Sequence, residues 1–532
     1  MTKLEVVADA LRVRRELDAD APLIKVGGGW VSSRVLDEES DRLAVGLASL
    51  GSAKGDRVAW MLPNCPEVPE LLFAIAKLGL IQVPLNPYLK GEFLAYQLND
   101  CGATVLLTDA AGLRSAAPRL GETGIKHLVL VGEAGGGADV VQYMGFSELK
   151  LQSSELPPVQ VIPSDTYSIL YTSGTTGLPK GCMIPHGYYI GAGRAFSALM
   201  KPGDRVFTSF PLFHNGGQVA QLMGTLVNNA AICFETEFSA TAFMERAFEE
   251  HATLVTGVGA IAMAVLARPV AEGEKDNDLR LAGFAPLTIE KQVEFGRRFN
   301  VPVFSSGYGQ TECNPITLDP NPPDDKRQTM GRPLPHLDVR IVDDFDNEVP
   351  VGTIGELIVR PRHPGTSTIF SGYWGKAEAT MAVWRNLWHH TGDYATTDED
   401  GFVTFVDRKN DALRRRGENV SSFELEAAIV AHPSVAEVAV CAAPSALGED
   451  EIKACIVPVA GAELLPVELF GFFKLNVPYF AIPRYVQIRE SLPMTAATHR
   501  VQKHLLRDEG VTDDCWDFEA LGLRVDKAER RS

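Results

Sequence analysis

YTSGTTGLPKG, Tyr171 to Gly181, is the stretch on which the reading of this chain turns. It follows Ser-Ile-Leu, a short run with strand character, and packs serine, threonine and glycine into a tight turn ending at Lys180. Small residues let backbone N–H groups approach phosphate oxygens closely, while hydroxyls and an ammonium supply further donors. The pattern is not a Walker A loop, because Pro179 precedes Lys180 and Gly181 follows it. A Ser/Gly linker is the bland alternative. Linkers rarely place two threonines, a proline and a lysine straight after a buried strand, so a phosphate-binding turn at a strand end is expected.

Outward from this turn the chain alternates helix and strand. VGLASLGSAKGDRVAWMLPN reads as helix, turn and a strand over Arg57–Met61, and PEVPELLFAIAKLGLIQVPLN as an amphipathic helix and a second strand. ATVLLTD and HLVLVGE are short apolar runs closed by turn residues, as buried parallel strands require. The alternation continues past residue 300 and predicts an α/β fold with helices on both sheet faces. VRIVDD and GELIVRP, around 339–360, predict a small β subdomain. After VTFVDRKNDALRRRGENV the character changes to a compact α+β unit of roughly a hundred residues. The expected organisation is a large multi-subdomain N-terminal domain over 1–407, a hinge at 408–411 and a small mobile C-terminal domain over 412–532. GEAGGGAD at 132–139 reads as a surface loop.

A chain of 532 residues is too long for one core. Its formal net charge of −18 argues against nucleic acid or an anionic membrane surface as the main partner. The eight cysteines are scattered without a C-x-x-C, which points to reduced thiols and away from a disulfide framework or zinc site. The N-terminal twenty residues lack the apolar core of a signal peptide, and no apolar stretch is long enough for a membrane span. A cytoplasmic protein is expected.

Further motifs follow in order. SSGYGQTE spans Ser305–Glu312, HTGDYA spans His390–Ala395, FVDRKND follows, and PLFHNGG spans Pro211–Gly217. With YTSGTTGLPKG, these resemble the adenylate-forming superfamily of acyl-CoA synthetases, adenylation domains and luciferases, over roughly Val45 to Arg507. The resemblance implies ATP, or the AMP moiety of an acyl-adenylate, together with Mg²⁺ and coenzyme A. It implies a nucleotide site built from Thr172, Ser173, Gly174, Thr175, Thr176 and Gly177, with Lys180 at the phosphates. Tyr308 stacks on adenine beside Gly309, Thr311 contacts the α-phosphate, and Glu312 holds Mg²⁺, a hard cation suited to carboxylate oxygen. Asp393 accepts the ribose hydroxyls and Arg408 approaches them. His214, Gly216, Gly307 and Phe284 are assigned to the acyl pocket, with Phe284 either a reshaped wall or a packing aromatic. If the pocket opens elsewhere, the glycines of Asn215-Gly216-Gly217 are a source of room. Asn410 takes the hinge position, and RRRGENVSS (Arg414–Ser422) matches the loop that enters after domain rotation, placing Gly417 along the pantetheine path.

The resemblance departs at LPMTAATHRVQK. Relatives that adenylate carry a Gly-Lys pair where this chain has His499-Arg500. That lysine serves only the first half-reaction. Arg500 keeps the charge, but its planar fork is no compact point charge. Lys503 matches a later lysine and is no substitute. Three readings therefore stay open. The chain works mainly in thioesterification, taking an acyl-adenylate from a separate adenylating enzyme; or it is a complete ATP-dependent ligase using Arg500; or it is a non-catalytic AMP or acyl-adenylate binder. The absence of an acidic residue in PLFHNGGQ predicts a carboxylic acid without an α-ammonium group. Acceptance by a carrier protein instead of CoA, and a homodimeric state, are left open by the residues.

Overall fold

The computed structural model describes residues 3–133, 142–150, 155–172, 178–363, 368–408, 412–416, 418–445, 449–494 and 501–530. Runs such as RVAWM, VLLTD and HLVLV carry almost no polar side chain because both faces of a parallel sheet are covered. They form Arg57–Met61, Val105–Asp109 and His127–Val131 of a seven-stranded sheet. Its order is Met144–Gly145, His127–Val131, Val105–Asp109, Arg57–Met61, Ile81–Pro84, Thr166–Thr172 and Lys180–Pro185. Only the last pair is antiparallel. The helix Glu67–Leu78 makes the crossover between two of these strands and stops at Gly79, whose φ of 62° is the left-handed conformation glycine tolerates best.

A second seven-stranded sheet repeats the plan. Its order is Val303–Phe304, Leu281–Ala285, Leu254–Val258, Arg205–Thr208, Ala231–Phe234, Pro22–Val26 and Val31–Ser32, parallel except at the final pair. The hairpin Gly307–Gln310 with Cys313–Leu318 leads from it to a five-stranded antiparallel sheet containing Leu337–Val342, Gly355–Pro361 and Trp388–Thr397. The C-terminal unit has a hairpin, the helix Ser422–Val430 and a four-stranded sheet of Val435–Pro444, Asp450–Pro458, Tyr485–Ile488 and Trp516–Asp517. It has its own apolar cluster, centred on Leu425, Ile429, Leu469, Phe473 and Phe518. The α/β class, the parallel sheets, the small β unit and the α+β C-terminal unit are those expected. The expected hinge, 408–411, begins at the last residue of the strand Val403–Arg408; residues 409–411, with the hinge candidate Asn410, fall outside the described residues, as do 134–139 of the glycine-rich loop.

Two histidines are locked into this framework uncharged. Burial pushes both His186 and His389 down to about 3. His186 Nδ1 accepts from the Val7 N–H at 3.3 Å, and His389 packs between the rings of Phe370 and Trp384 with neither ring nitrogen hydrogen-bonded. The unfolded chain binds a proton on each below its ordinary value of 6.5, and the folded chain only near 3. The stability they permit is therefore full above pH 6.5 and is lost as pH falls toward 3, by about 1.4 kcal/mol per pH unit per histidine. Urea unfolding at pH 5 should show a lower midpoint than at pH 7. His389→Phe, which replaces an unsatisfied ring by an apolar one of similar shape, should narrow the gap in midpoint between pH 5 and pH 7.

Candidate functional site

The carboxyl ends of the parallel strands in both large sheets open on one cavity of about 930 Å³. This is where open α/β sheets bind ligands, because connecting loops diverge there and leave a crevice. Asn64, just past the strand Arg57–Met61, joins the two sheets at the rim. Its Nδ2 donates to the carbonyls of Phe210 and Glu235 at 3.0 and 2.9 Å, and its Oδ1 accepts from the Leu212 N–H at 2.7 Å.

Along the cavity wall the hairpin pairs Gln310 with Cys313, so Thr311 and Glu312 form its two-residue tip. The Glu312 carboxylate is 9% exposed and accepts from the Tyr373 hydroxyl at 2.7 Å. Burial, then the Glu312 charge, push the Tyr373 phenol up, which keeps it a donor. Lys180 Nζ lies 5.2 Å from the centroid of the same Tyr373 ring. Lys180 and Glu312, far apart in sequence, thus share one aromatic partner that the motifs did not reveal. Thr172 lines the cavity; Ser173 to Gly177 of the phosphate turn fall outside the described residues.

Asp393 is held by two donors on its Oδ2, the Tyr308 hydroxyl at 2.5 Å and Gln310 Nε2 at 2.8 Å. It stands directly opposite Arg408 across an antiparallel pair, so the two residues singled out from separate motifs are strand neighbours. The side chain of Arg408 is outside the described residues. One carboxylate at each end of this group, Glu312 and Asp393, has a fixed partner, and Tyr308 and Gln310 carry neutral donors.

His214 sits where the strand Arg205–Thr208 has given way to the widened π-helical segment Gly216–Met223. Such turns occur often at functional sites. A chain of hydrogen bonds ties this segment to the hairpin tip: Asn314 Nδ2 donates to Asn215 Oδ1 at 2.6 Å, Asn215 Nδ2 to the Tyr188 hydroxyl at 3.3 Å, and that hydroxyl to the Thr311 carbonyl at 3.1 Å. The C-terminal unit also reaches this point, because Glu418 Oε2 lies 2.9 Å from His214 Nε2. Glu418 was hidden in RRRGENVSS behind its glycine and arginines; Gly417 itself is outside the described residues. The arginines of that loop are engaged within their own unit, Arg415 with Glu451 at 2.6 Å and Arg416 with Glu519 at 3.1 Å. Lys503 is engaged too, with Ser422 Oγ at 2.8 Å and Glu426 Oε1 at 2.7 Å. His499 and Arg500 are outside the described residues.

Two expectations need correction. Phe284 borders the cavity, but its ring is 0% exposed and packs on Phe295 at 4.9 Å in the layer behind the sheet. It is the packing aromatic of the two alternatives, and Gly283 borders the cavity beside it. Of the two glycines proposed as a source of room, Gly216 lines the cavity together with Gly307 and Gly309, whereas Gly217 does not. A Cβ on Gly217 would lie 2.1 Å from the Pro211 carbonyl oxygen, so this glycine serves close backbone approach.

A family model described as AMP-binding enzyme matches residues 11–374, and one described as AMP-binding enzyme C-terminal domain matches residues 424–498. A crotonobetaine/carnitine–CoA ligase of Salmonella heidelberg is 34% identical over 483 residues, covering 88% of this chain and 92% of the relative. Among solved structures, an o-succinylbenzoate CoA synthetase from Bacillus subtilis is 25% identical with a TM-score of 0.80, over 94% of this chain and 98% of that one. An amide bond synthetase from Marinactinospora thermotolerans, 24% identical with a TM-score of 0.81 over 95% of this chain and all of that one, shares the fold. Among the described residues no helix is long and apolar enough to cross a membrane.

The contrast between the adjacent glycines is measurable. Gly217→Ala should cost about 1–3 kcal/mol in chemical unfolding through forced backbone movement. Gly216→Ala, whose Cβ would meet only the Phe210 ring at 3.4 Å, should change stability by no more than about 0.5 kcal/mol.

Proposed function

The chain belongs to the AMP-binding enzyme family, and from that premise we propose that it forms an acyl-CoA thioester from a carboxylic acid lacking an α-ammonium group, by way of an acyl-adenylate. We propose further that it works mainly in the second half-reaction, taking an acyl-adenylate made by a separate enzyme. The observation that carries this reading is the contact of Glu418 with His214, which brings the C-terminal loop to the acyl cavity. In this step the CoA sulfur attacks the acyl carbon, the bond from that carbon to the AMP oxygen breaks, and AMP leaves. In this proposal His214 takes the thiol proton, and Glu418, in contact with it at 2.9 Å, is a positioning residue that steadies the imidazolium so formed. Asp393 and Tyr308 hold the ribose and adenine of the adenylate while this occurs.

The first half-reaction joins a carboxylate oxygen to the α-phosphorus of ATP and releases pyrophosphate. Lys180, Thr311 and Glu312 are the residues for it. Glu312 is a single buried carboxylate, and no group of three metal-ligating side chains exists among the described residues. That fits Mg²⁺ held by one carboxylate and the phosphates, where it would neutralise phosphate charge. The Lys180–Tyr373–Glu312 assembly favours the second reading, a complete ligase in which Arg500 does the work of the usual lysine.

Parallel assays separate the readings. Acyl-AMP plus CoA should give thioester about 10²–10³ faster than free acid plus ATP and CoA, the usual cost of losing one aligned charge-stabilising donor. Comparable rates, with brisk pyrophosphate exchange, would establish the complete ligase. AMP binding without any thioester from acyl-AMP would leave only a binding protein. Glu418→Gln should slow the thioester step by about ten- to a hundredfold, near or below the lower end for acid–base catalysis, while leaving any pyrophosphate exchange within about twofold.

A further inference from the structure

Part of the cavity wall is apolar with a polar pair set within it. Phe196, Leu199, Leu254, Ile261 and Leu281 border it, and between them stand Gln221, 6% exposed, and Thr256, 9% exposed. The Thr256 hydroxyl donates to Gln221 Oε1 at 2.8 Å. Gln221 belongs to the π-helical segment and Thr256 is the middle residue of the strand Leu254–Val258. Beside them on the neighbouring strand, Thr256 is in register with Gly283, which has no side chain to fill the space.

The pair differs from the polar network directly behind it. There Gln218 Nε2 donates to the Leu212 carbonyl at 2.7 Å and to Gln82 Oε1 at 3.2 Å, while Gln218 Oε1 accepts from Gln82 and Tyr189. That network is closed on itself and structural. Gln221 is open: its oxygen is used by Thr256, and its amide nitrogen donates to no other described residue. This nitrogen is not among the fully buried atoms left without a partner, so it keeps access to the cavity and is a donor available there.

The charge of the surroundings narrows the ligand. Every lysine and arginine bordering the cavity among the described residues belongs to the C-terminal unit, and Lys527, which reaches the loop after the strand Ala231–Phe234, is paired there with Glu237 at 2.8 Å, which argues against a second carboxylate or phosphate on the ligand. The nearby Glu235 is committed to Arg246 at 2.7 Å, which argues against a cationic acyl group. Gln221 is seven residues past His214, at most roughly 10 Å along a helix axis, so the polar spot serves the acyl chain beyond its carboxylate. On the adenylate-forming reading proposed above, we infer that the acyl pocket selects carboxylic acids bearing a neutral acceptor oxygen, a keto or hydroxyl group, which Gln221 and Thr256 hold at a distance from the carboxylate.

The test uses the full chain and non-hydrolysable N-acylsulfamoyl adenosines, read by calorimetry so that no turnover is needed. Straight-chain six- to eight-carbon acyl groups are compared, each plain and with a keto oxygen at successive carbons from the fourth outward. The best keto analogue should bind at least tenfold tighter than its plain partner. Gln221→Leu should bring that ratio to within about twofold of one, and Thr256→Val, nearly isosteric, should reduce it at least threefold. Thermal unfolding checks that each variant folds; if the leucine variant does not, the valine variant decides. Equal binding of paired analogues, or a ratio unmoved by the folded variants, would overturn the oxygen preference alone. Failure of every analogue to bind would remove the adenylate reading and this inference with it.

Discussion

Two parallel sheets can share a ligand cavity only if their open ends are held face to face, and Asn64 is the side chain that does this most directly. Each of its hydrogen bonds ends on backbone of the second sheet's loops, although the residue itself belongs to the first. It is 7% exposed, so these bonds form where water competes little. An amide has the donors and acceptor to satisfy two carbonyls and one N–H at once, which no apolar or singly functional side chain can do. The position of the PLFHNGG segment, and hence of His214, depends on this clamp. Behind it the Gln82–Gln218 pair performs the same service for the π-helical segment.

From that fixed rim the remaining groups arrive on separate elements. The hairpin tip brings Thr311 and Glu312, the antiparallel sheet brings Asp393, and the C-terminal unit brings Glu418. Each is steadied by a neighbour from another segment: Tyr373 for Glu312, Tyr308 for Asp393, His214 for Glu418. Around Glu312 and Asp393 the site is built from carboxylates with neutral hydrogen-bond donors beside them. Around Gln221 and Thr256 the wall carries mainly apolar side chains with one polar pair. The chemistry therefore changes character across the cavity.

The parts of this arrangement that lie in contiguous turns were legible in the sequence. Tyr308, Thr311 and Asp393 announce themselves because a turn packs polar residues and glycines into a few positions. Tyr373 and Asn64 do not, since their value lies in partners 61 and about 150–170 residues away. Phe284 could not be assigned a face from LAGFA, because a strand covered on both sides shows no alternation of polar and apolar residues. Gly217 looked like space and is instead a point where two backbones nearly touch. In both cases the residue type was informative and the direction was not.

The division of labour between the two sheets has a consequence for how such a protein can change over generations. Thr172 and Lys180 hang from the first sheet, whereas Thr256 and Gly283 belong to the second, with Gln221 on a segment that follows it. On the adenylate-forming reading proposed above, variation in the second set would alter which acid fits without disturbing the groups proposed to face the phosphates. A lineage can therefore drift from one acyl group to another by single replacements while its nucleotide machinery stays under selection. The two CoA ligases this chain is similar to, one named for crotonobetaine and carnitine and one for o-succinylbenzoate, are what such an uncoupled scaffold would leave behind.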